Sequence, residues 1–435
     1  MSNWKQDSLT KHVSLVTKGT TPTSIGKQFQ DNGINFIKAE SITDAGMFIS
    51  SAFAYIDEST HEILKRSQLQ NGDILFSIAG VLGRVAVVNR DILPANTNQA
   101  IAIIRLSSNS EIEKDFLKHL LNSEFVKEQI RRINVQAAQA NFSLADINRL
   151  QIQYPKEPNE QSNIARILST ADAVIEKTQA AIAKYKAIKQ GMLQDLFTRG
   201  IDLNTNKLRP RYEDAPELYK ESKLGMIPIE WNEKIFGEEV DLIHGHQFRD
   251  YDFTEFGIPV VKIGQVKPEN VDLSSCSFVA YGREDEFQNE IIRNGDVLMA
   301  LTGATLGKAC LVKGLNGVVL QNYRVGRFEP IIKENDIDKE FLYYLLIAGD
   351  LLTQIFNKVN TGAQGNIGKA DFEKASFKKP PFDEQQIIAE RLKAIDNKLQ
   401  TELTYLQKMQ SLKKGLMEDL LSGRKQVKIN EATTV

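Results

Sequence analysis

The chain repeats itself, and a repeat longer than two hundred residues fixes the architecture before any local pattern is weighed. Asn71-Gly-Asp-Ile-Leu-Phe-Ser-Ile-Ala-Gly80 returns as Asn294-Gly-Asp-Val-Leu-Met-Ala-Leu-Thr-Gly303, an offset of 295 − 72 = 223 residues. Other landmarks keep nearly the same step: Trp4 with Trp231, Gly33-Ile-Asn-Phe-Ile-Lys38 with Gly257-Ile-Pro-Val-Val-Lys262, Phe116 with Phe341, Asp146 with Asp371 and Pro155 with Pro380. Each half closes on the same signature, Glu160-Gln-Ser-Asn-Ile-Ala against Glu384-Gln-Gln-Ile-Ile-Ala, and then Gly191-Met-Leu-Gln-Asp-Leu196 against Gly415-Leu-Met-Glu-Asp-Leu420.

Between those signatures the spacing of apolar residues predicts two long helices. In the first, Ile164, Leu168, Ala171, Ile175, Thr178, Ile182, Tyr185, Met192 and Leu196 alternate steps of four and three, broken at Lys189. In the second, Ile388, Leu392, Ile395, Leu399, Leu406, Met409, Leu416 and Leu420 hold the same phase, broken at Glu402 and Lys413. Such spacing is a heptad seam, and 388 − 164 = 224 keeps the two seams in register because it is a whole number of heptads. A helix of roughly 39 residues is about 58 Å long and cannot hide an apolar stripe alone. The expectation is that the two stripes cover each other as an antiparallel pair related by a pseudo-two-fold axis. The competing arrangement packs each stripe on its own globular module.

What precedes each helix is of another kind. Residues 13 to 155 and 240 to 380 carry short β-rich runs broken by Gly and Asn turns, each followed by shorter helical stretches, Asp115 to Arg132 and Asp338 to Val359. The predicted fold class is therefore α/β (α+β), two similar α/β modules with two long helices paired as an antiparallel coiled coil. The predicted boundaries are a first module over 1–155, a helical spacer over 156–200, a polar, turn-rich connector over 201–230, a second module over 231–380, a second helical spacer over 381–425 and a tail over 426–435.

Composition narrows the function. No run of 18 apolar residues exists and the N-terminus lacks a charged-then-apolar signal pattern, so a cytoplasmic protein without a membrane span is expected. Cys276 and Cys310 are the only cysteines and form no C-x-x-C pair, so both are expected to be buried structural thiols. A formal net charge of −2 argues against strong DNA binding in isolation, since phosphate neutralisation needs clustered Lys and Arg. Distribution matters more than the total, however, and partner subunits can supply much of the phosphate contact.

The sequence carries no complete catalytic motif. Lys379-Pro-Pro-Phe382 has the shape of a loop that holds an exocyclic base nitrogen, but Lys can only donate where an Asn or Asp oxygen must accept. Gly303-Ala-Thr-Leu-Gly-Lys308 is one residue short of a P-loop and is followed by Ala309, so a tight inter-strand turn with a projecting basic residue fits better, as does its copy Gly80-Val-Leu-Gly-Arg84. His244-Gly-His246 reads as a loop rather than a ligand pair, and Glu221-Ser-Lys223 is too short to read as a nuclease site.

Sequence readers place donors and acceptors on loops held by a rigid core. Thr17-Lys-Gly-Thr-Thr-Pro-Thr-Ser24, with Thr20 and Thr21, corresponds to Ile243-His-Gly-His-Gln-Phe-Arg249, with Gln247 and Arg249. Gln136, Gln139 and Asn141 correspond to a second segment that holds Gln364 and Asn366, with Lys369 just beyond. Gln and Asn can bond an adenine edge at two points and Arg a guanine edge. Lys38 with Lys262, and Arg84 with Lys308, are the better candidates for phosphate contact, because positioning charge serves both modules whatever base is read.

Taken in order, these features resemble the specificity subunit of type I restriction-modification systems. The resemblance rests on a module, a Pro, Glu-Gln-x-x-Ile-Ala opening a long helix and Gly-Met-Leu-Gln-Asp-Leu closing it, all repeated, with Gly-Asp-Ile/Val-Leu inside each module and Lys223-Leu-Gly-Met-Ile-Pro-x-x-Trp231 opening the second. It covers essentially the whole chain. It implies two target-recognition domains that each read half of a bipartite site in double-stranded DNA. It also implies that the helices act as spacer and as docking surface for two methyltransferase subunits, and that restriction subunits join the complex. No cofactor is then bound by this chain, and S-adenosylmethionine, Mg2+ and ATP belong to the partners. A non-enzymatic coiled-coil adaptor whose modules bind proteins or peptides is the alternative.

Overall fold

The computed structural model describes residues 3–135, 142–268, 270–332, 334, 336–358 and 366–427. Contacts divide the chain into two compact units, Met1–Ala181 with Glu402–Val435, and Ile182–Thr401. The division cuts both long helices, so the first unit takes two stretches of the sequence and the second spans the connector.

The first unit runs β1 (Trp4–Ser8), β2 (Val13–Lys18), β3 (Ile34–Ile37), β4 (Ala54–Ile56), α1 (Glu58–Ile63), β5 (Ile74–Ser77), β6 (Val85–Val87), β7 (Ala95–Thr97), β8 (Ile101–Leu106), α2 (Lys114–Leu121), α3 (Glu124–Val135), α4 (Leu144–Arg149), β9 (Gln151–Pro155) and then α5 (Pro158–Thr198). β2-β8-β5-β6 form an antiparallel sheet, β4-β3-β7 a smaller one with β3 and β7 parallel, and β1 pairs with β9. All four residues of β5 are buried, the apolar Ile74, Leu75 and Phe76 and then Ser77, whose hydroxyl donates to Val81 O and accepts from Arg84 N. Because successive strand side chains point to opposite faces, Ile74 and Phe76 enter a core with α2 and α3, while Leu75 enters a second core against β3 and β7.

The second unit repeats this plan after the connector strands β10 (Ile201–Asp202), β11 (Lys207–Leu208), β12 (Tyr219–Ser222) and β13 (Gly225–Pro228). Its elements are β14 (Asn232–Ile235), α6 (Phe236–Glu239), β15 (Val240–His244), β16 (Phe253–Thr254), β17 (Ile258–Val261), β18 (Ser277–Val279), β19 (Val297–Ala300), β20 (Ala309–Leu311), β21 (Leu320–Gln321), β22 (Val325–Pro330), α7 (Lys339–Ile347), α8 (Asp350–Lys358), α9 (Lys369–Glu373), β23 (Ser376–Lys379) and α10 (Phe382–Leu420). The sheets β15-β22-β19-β20, β16-β18-β17-β21 and β14-β23 match those of the first unit, with β16 as an added edge.

The repeated motifs have repeated hydrogen bonds. Gly72 and Gly295 sit at φ +91° and +89°, a left-handed turn that only glycine adopts without strain. The buried Asp behind each accepts from the backbone of residue 70 or 293, and Asp73 also takes Arg105 through two bonds of 2.7 Å. In the helix-opening Glu-Gln pair, Gln161 donates to the carbonyls of Glu111 and Pro155 and accepts from Glu113 N, while Gln385 does the same with Asp336, Pro380 and Asp338. Each Gln thereby ties the last strand of its module to the loop that enters α2 or α7.

The two long helices pack together as an antiparallel pair. Ile164 and Leu168 from the start of α5, with Leu420 from the end of α10, lie in the first unit's core. Leu196 and Phe197 from the end of α5, with Ile388 and Leu392 from the start of α10, lie in the second unit's core. Both packing arrangements weighed from the sequence are therefore used, the helix ends on the modules and the intervening seam between helices, where Ile175, Thr178 and Ile182 are buried. The expectation of two buried thiols needs correction: Cys310 is buried, which pushes its thiol up to about 12, but Cys276 is only half-buried. No helix among the described residues is long and apolar enough to cross a membrane.

Candidate nucleic-acid interface

Each module brings the same three segments to the end of its central strand. In the second unit, the turn after β19 meets the loop after β17 through Thr305 Oγ1, which donates to Ile263 O at 3.2 Å. Thr302 bridges Asn366, and Ile367 N donates to Leu301 O. In the first unit, Arg84 from the turn after β5 donates to Ala39 O beside Lys38, and Phe142 N donates to Ile78 O. Lys38, Arg84 and the residue after Asn141 are thus neighbours of one strand end, as are Lys262, Lys308 and Asn366.

The first polar loops also begin alike. A Cβ on Gly19 would lie 1.7 Å from Thr97 O, and one on Gly245 would lie 2.2 Å from Gln321 O. Only glycine lets these loops leave β2 and β15 pressed against β7 and β21. Thr20 then accepts from Arg66 Nη2 at 3.2 Å, and Thr21 donates to Gln99 Oε1. In the other module Gln247 and Arg249 are exposed, and the Arg249 backbone N–H is held by Asp252 at 2.8 Å.

The basic residues differ in how free they are. The Lys38 and Lys262 ammonium groups lie over phenylalanine rings, Phe29 at 4.6 Å and Phe253 at 4.0 Å, and Lys262 also donates to Ser277 at 2.7 Å. Lys308 projects into solvent, as expected of the turn. Arg84 does not, because it donates to Asp44 at 2.7 Å as well as to Ala39 O. Lys369 is paired with Asp241 at 2.5 Å. Gln136, Gln139, Asn141 and Gln364 lie outside the described residues.

Several polar and aromatic groups of the second unit belong to none of the motifs above. Tyr251, Phe256 and Tyr281 are 85%, 74% and 75% exposed, and Arg324 stacks on Tyr323. The sequence signal was available in Arg249-Asp-Tyr-Asp-Phe253, where aromatics alternate with charges in a loop. Lys379, at the loop that superficially suggested a base-amine site, is neutralised by Glu239 at 2.6 Å and by Asp336. Among the described residues no group of His, Cys, Asp and Glu is placed to hold a metal.

Comparison with known proteins gives one answer. The family of the type I restriction modification DNA specificity domain matches residues 1–185 and again 228–414. The type I restriction enzyme MjaVIII specificity subunit of Methanocaldococcus jannaschii is 30% identical over 281 residues, covering 64% of this chain and 63% of that protein, so less than two thirds of its length is spanned. A second protein of that organism, named as the type I restriction enzyme MjaX specificity subunit, is 26% identical over 98% of this chain and 94% of its own. The crystal structure of a type I restriction-modification S subunit from M. genitalium shares the fold, with a TM-score of 0.60 at 16% identity over 96% of each chain. With two copies of the domain accounting for most of its length, the chain belongs to the type I restriction-modification DNA specificity family.

Proposed function

We propose that the chain reads sequence for a type I restriction-modification complex, each module recognising one half of a bipartite target in double-stranded DNA. The observation that carries this is the contrast within the repeat. The hydrogen-bonded frame around Gln161 and Gln385 is conserved between halves, whereas the first polar loops differ, Thr20 and Thr21 against Gln247 and Arg249, while Lys38 with Lys262, Gln139 with Gln364 and Asn141 with Asn366 keep the same residue types. One frame can then dock two identical methyltransferase subunits while two different loop sets read two different half-sites. Restriction subunits join that core. Catalysis, with S-adenosylmethionine, Mg2+ and ATP, resides in those partners, and this chain contributes recognition and positioning.

Phosphate contact comes from Lys308 and the two Phe-backed lysines, which hold the duplex without reading it. Base contact comes from exposed Gln247 and Arg249, supported by the aromatic side chains at 251 and 281. The test is long-read methylation mapping of cells that carry the methyltransferase subunits with and without this protein. The expected result is an adenine mark at one asymmetric interrupted sequence that depends on the chain. An unchanged methylation pattern overturns the reading.

A further inference from the structure

Lys189 and Lys413 interrupt the two apolar seams, and both are where the long helices exchange charge. Lys189 Nζ on α5 lies 2.5 Å from Asp396 Oδ1 on α10, and Lys413 on α10 pairs with Asp172 on α5. Because 413 − 189 and 396 − 172 are both 224, the pairs are copies of each other under the internal repeat. The lysine side chains are each 20% exposed, and the aspartates 29% and 10%. Each pair has a third member from a module helix. Tyr344 on α7 donates to Asp396 Oδ2 at 2.9 Å, with its ring 5.7 Å from the Lys189 ammonium. His119 on α2 places Nδ1 3.8 Å from Asp172 Oδ2 and Nε2 2.9 Å from Ser169 Oγ.

An apolar seam alone does not choose its register, since leucine meets leucine nearly as well after a slide of one heptad and apolar burial is not directional. The charges do choose. A seven-residue slide sets Lys189 against Ala389 or Leu403 and Lys413 against Ala165 or Gln179. The same slide leaves Asp396 facing Ile182 or Leu196, and Asp172 facing Leu406 or Leu420. Four half-buried charges would lose their partners at once, and removing the partner of a buried charge is what such sites tolerate least. We propose that Lys189–Asp396 and Lys413–Asp172 fix the axial register of α5 against α10 and, through Tyr344 and His119, seat each module on that register. Polar residues inside a seam specify register at some expense of stability. The claim about register stands independently of the DNA-reading proposal. Only its consequence, a fixed number of base pairs between half-sites, depends on that proposal.

The test uses the full chain in a Cys276→Ser background, with spin labels at the exposed positions Ala187 and Lys398 in one preparation and Ala173 and Ser411 in another. Pulsed electron resonance on the parent should give one narrow distance for each pair. The neutral variant Lys189→Leu, Lys413→Leu, Asp172→Asn, Asp396→Asn should melt at or above the parent temperature, yet show a second distance from an axial slide of about 10 Å, seven residues at 1.5 Å. Reversing both pairs, Lys189→Asp and Lys413→Asp with Asp172→Lys and Asp396→Lys, should restore the single distance. A neutral variant that keeps the single parent distance, whether it melts higher or lower, overturns the proposal. So does a reversed variant that shows two distances.

Discussion

Glu160 and Glu384 stand at the same place in the repeat and live in opposite surroundings. Glu384 is fully buried and satisfied, taking Arg209 through bonds of 2.6 and 3.0 Å, Trp231 Nε1 at 3.0 Å and Ile201 N at 2.6 Å. Gly200, at φ +60°, makes room, since a Cβ there would lie 2.1 Å from Glu384 Oε1. Glu160 is buried too, but among the described residues its Oε1 has no hydrogen-bond partner and neither does the indole N–H of Trp4. Burial, with the nearby Glu157 charge, holds the Glu160 carboxyl above its ordinary range. The two should therefore respond oppositely to the same change. Glu384→Gln strands the Arg209 guanidinium and should cost roughly 3–5 kcal/mol, whereas Glu160→Gln should leave stability at neutral pH equal or slightly higher. Urea unfolding of the two variants checks both, and equal losses would contradict the assignment. His119 gives a pH signature at the same scale. Burial, with the Lys118 and Lys413 charges, lowers its pKa to about 3, so it is neutral when folded and its contact with Asp172 is not an ion pair. Above an unfolded value near 6.5 neither state is protonated. Below it the unfolded chain takes up the proton first, so stability falls as pH drops from about 6.5 toward 3. For this one group the loss between pH 7 and pH 5 is about 2 kcal/mol, and His119→Gln should remove that share of the pH dependence.

At the scale of elements, the sequence revealed what periodicity can carry. α5 and α10 were legible because thirty or more residues of alternating four and three spacing admit one interpretation, and β5 and β19 were legible as unbroken apolar runs after Asn-Gly turns. The connector was not. Residues 201–230 read as polar turns, but they hold two hairpins and deliver Arg209 to a carboxylate 175 residues away. No local pattern announces such a long-range pair. The sequence equally could not tell that Arg84 folds back on Asp44 while its counterpart Lys308 is exposed, because each outcome depends on a residue brought in from elsewhere in the chain. The β19–β20 turn therefore makes a testable element. In the assembled complex, Lys308→Ala should weaken binding to target and scrambled duplexes by the same factor and reduce the slope of log affinity against log salt by about 1. Arg249→Ala should instead weaken target binding selectively. A Lys308→Ala complex with an unchanged salt slope would remove that residue from the phosphate contacts.

At the scale of the whole molecule, the repeat and the resemblance made the architecture readable, while the bases recognised stayed unreadable because a side chain's identity does not say which base edge it meets. What the architecture does predict is how target and rod should vary together. Each unit's core is built from the first turns of one long helix and the last turns of the other, so a module cannot be moved along one helix without disturbing its packing on the second. An insertion must therefore go into both helices at once and must keep the seam in phase, which makes seven residues the natural increment. Adding one heptad near Ala181 in α5 and near Thr404 in α10 lengthens each rod by about 10 Å, close to three base-pair rises of 3.4 Å. With the methyltransferase subunits present, methylation mapping of this variant should show both half-sites unchanged and the gap between them wider by about three base pairs. Insertion into α5 alone should abolish methylation, because the Lys189 and Lys413 pairs then demand registers one heptad apart. A double insertion that changes the bases of either half-site would mean that the rods shape recognition itself, and that the modules do not read independently of their spacing.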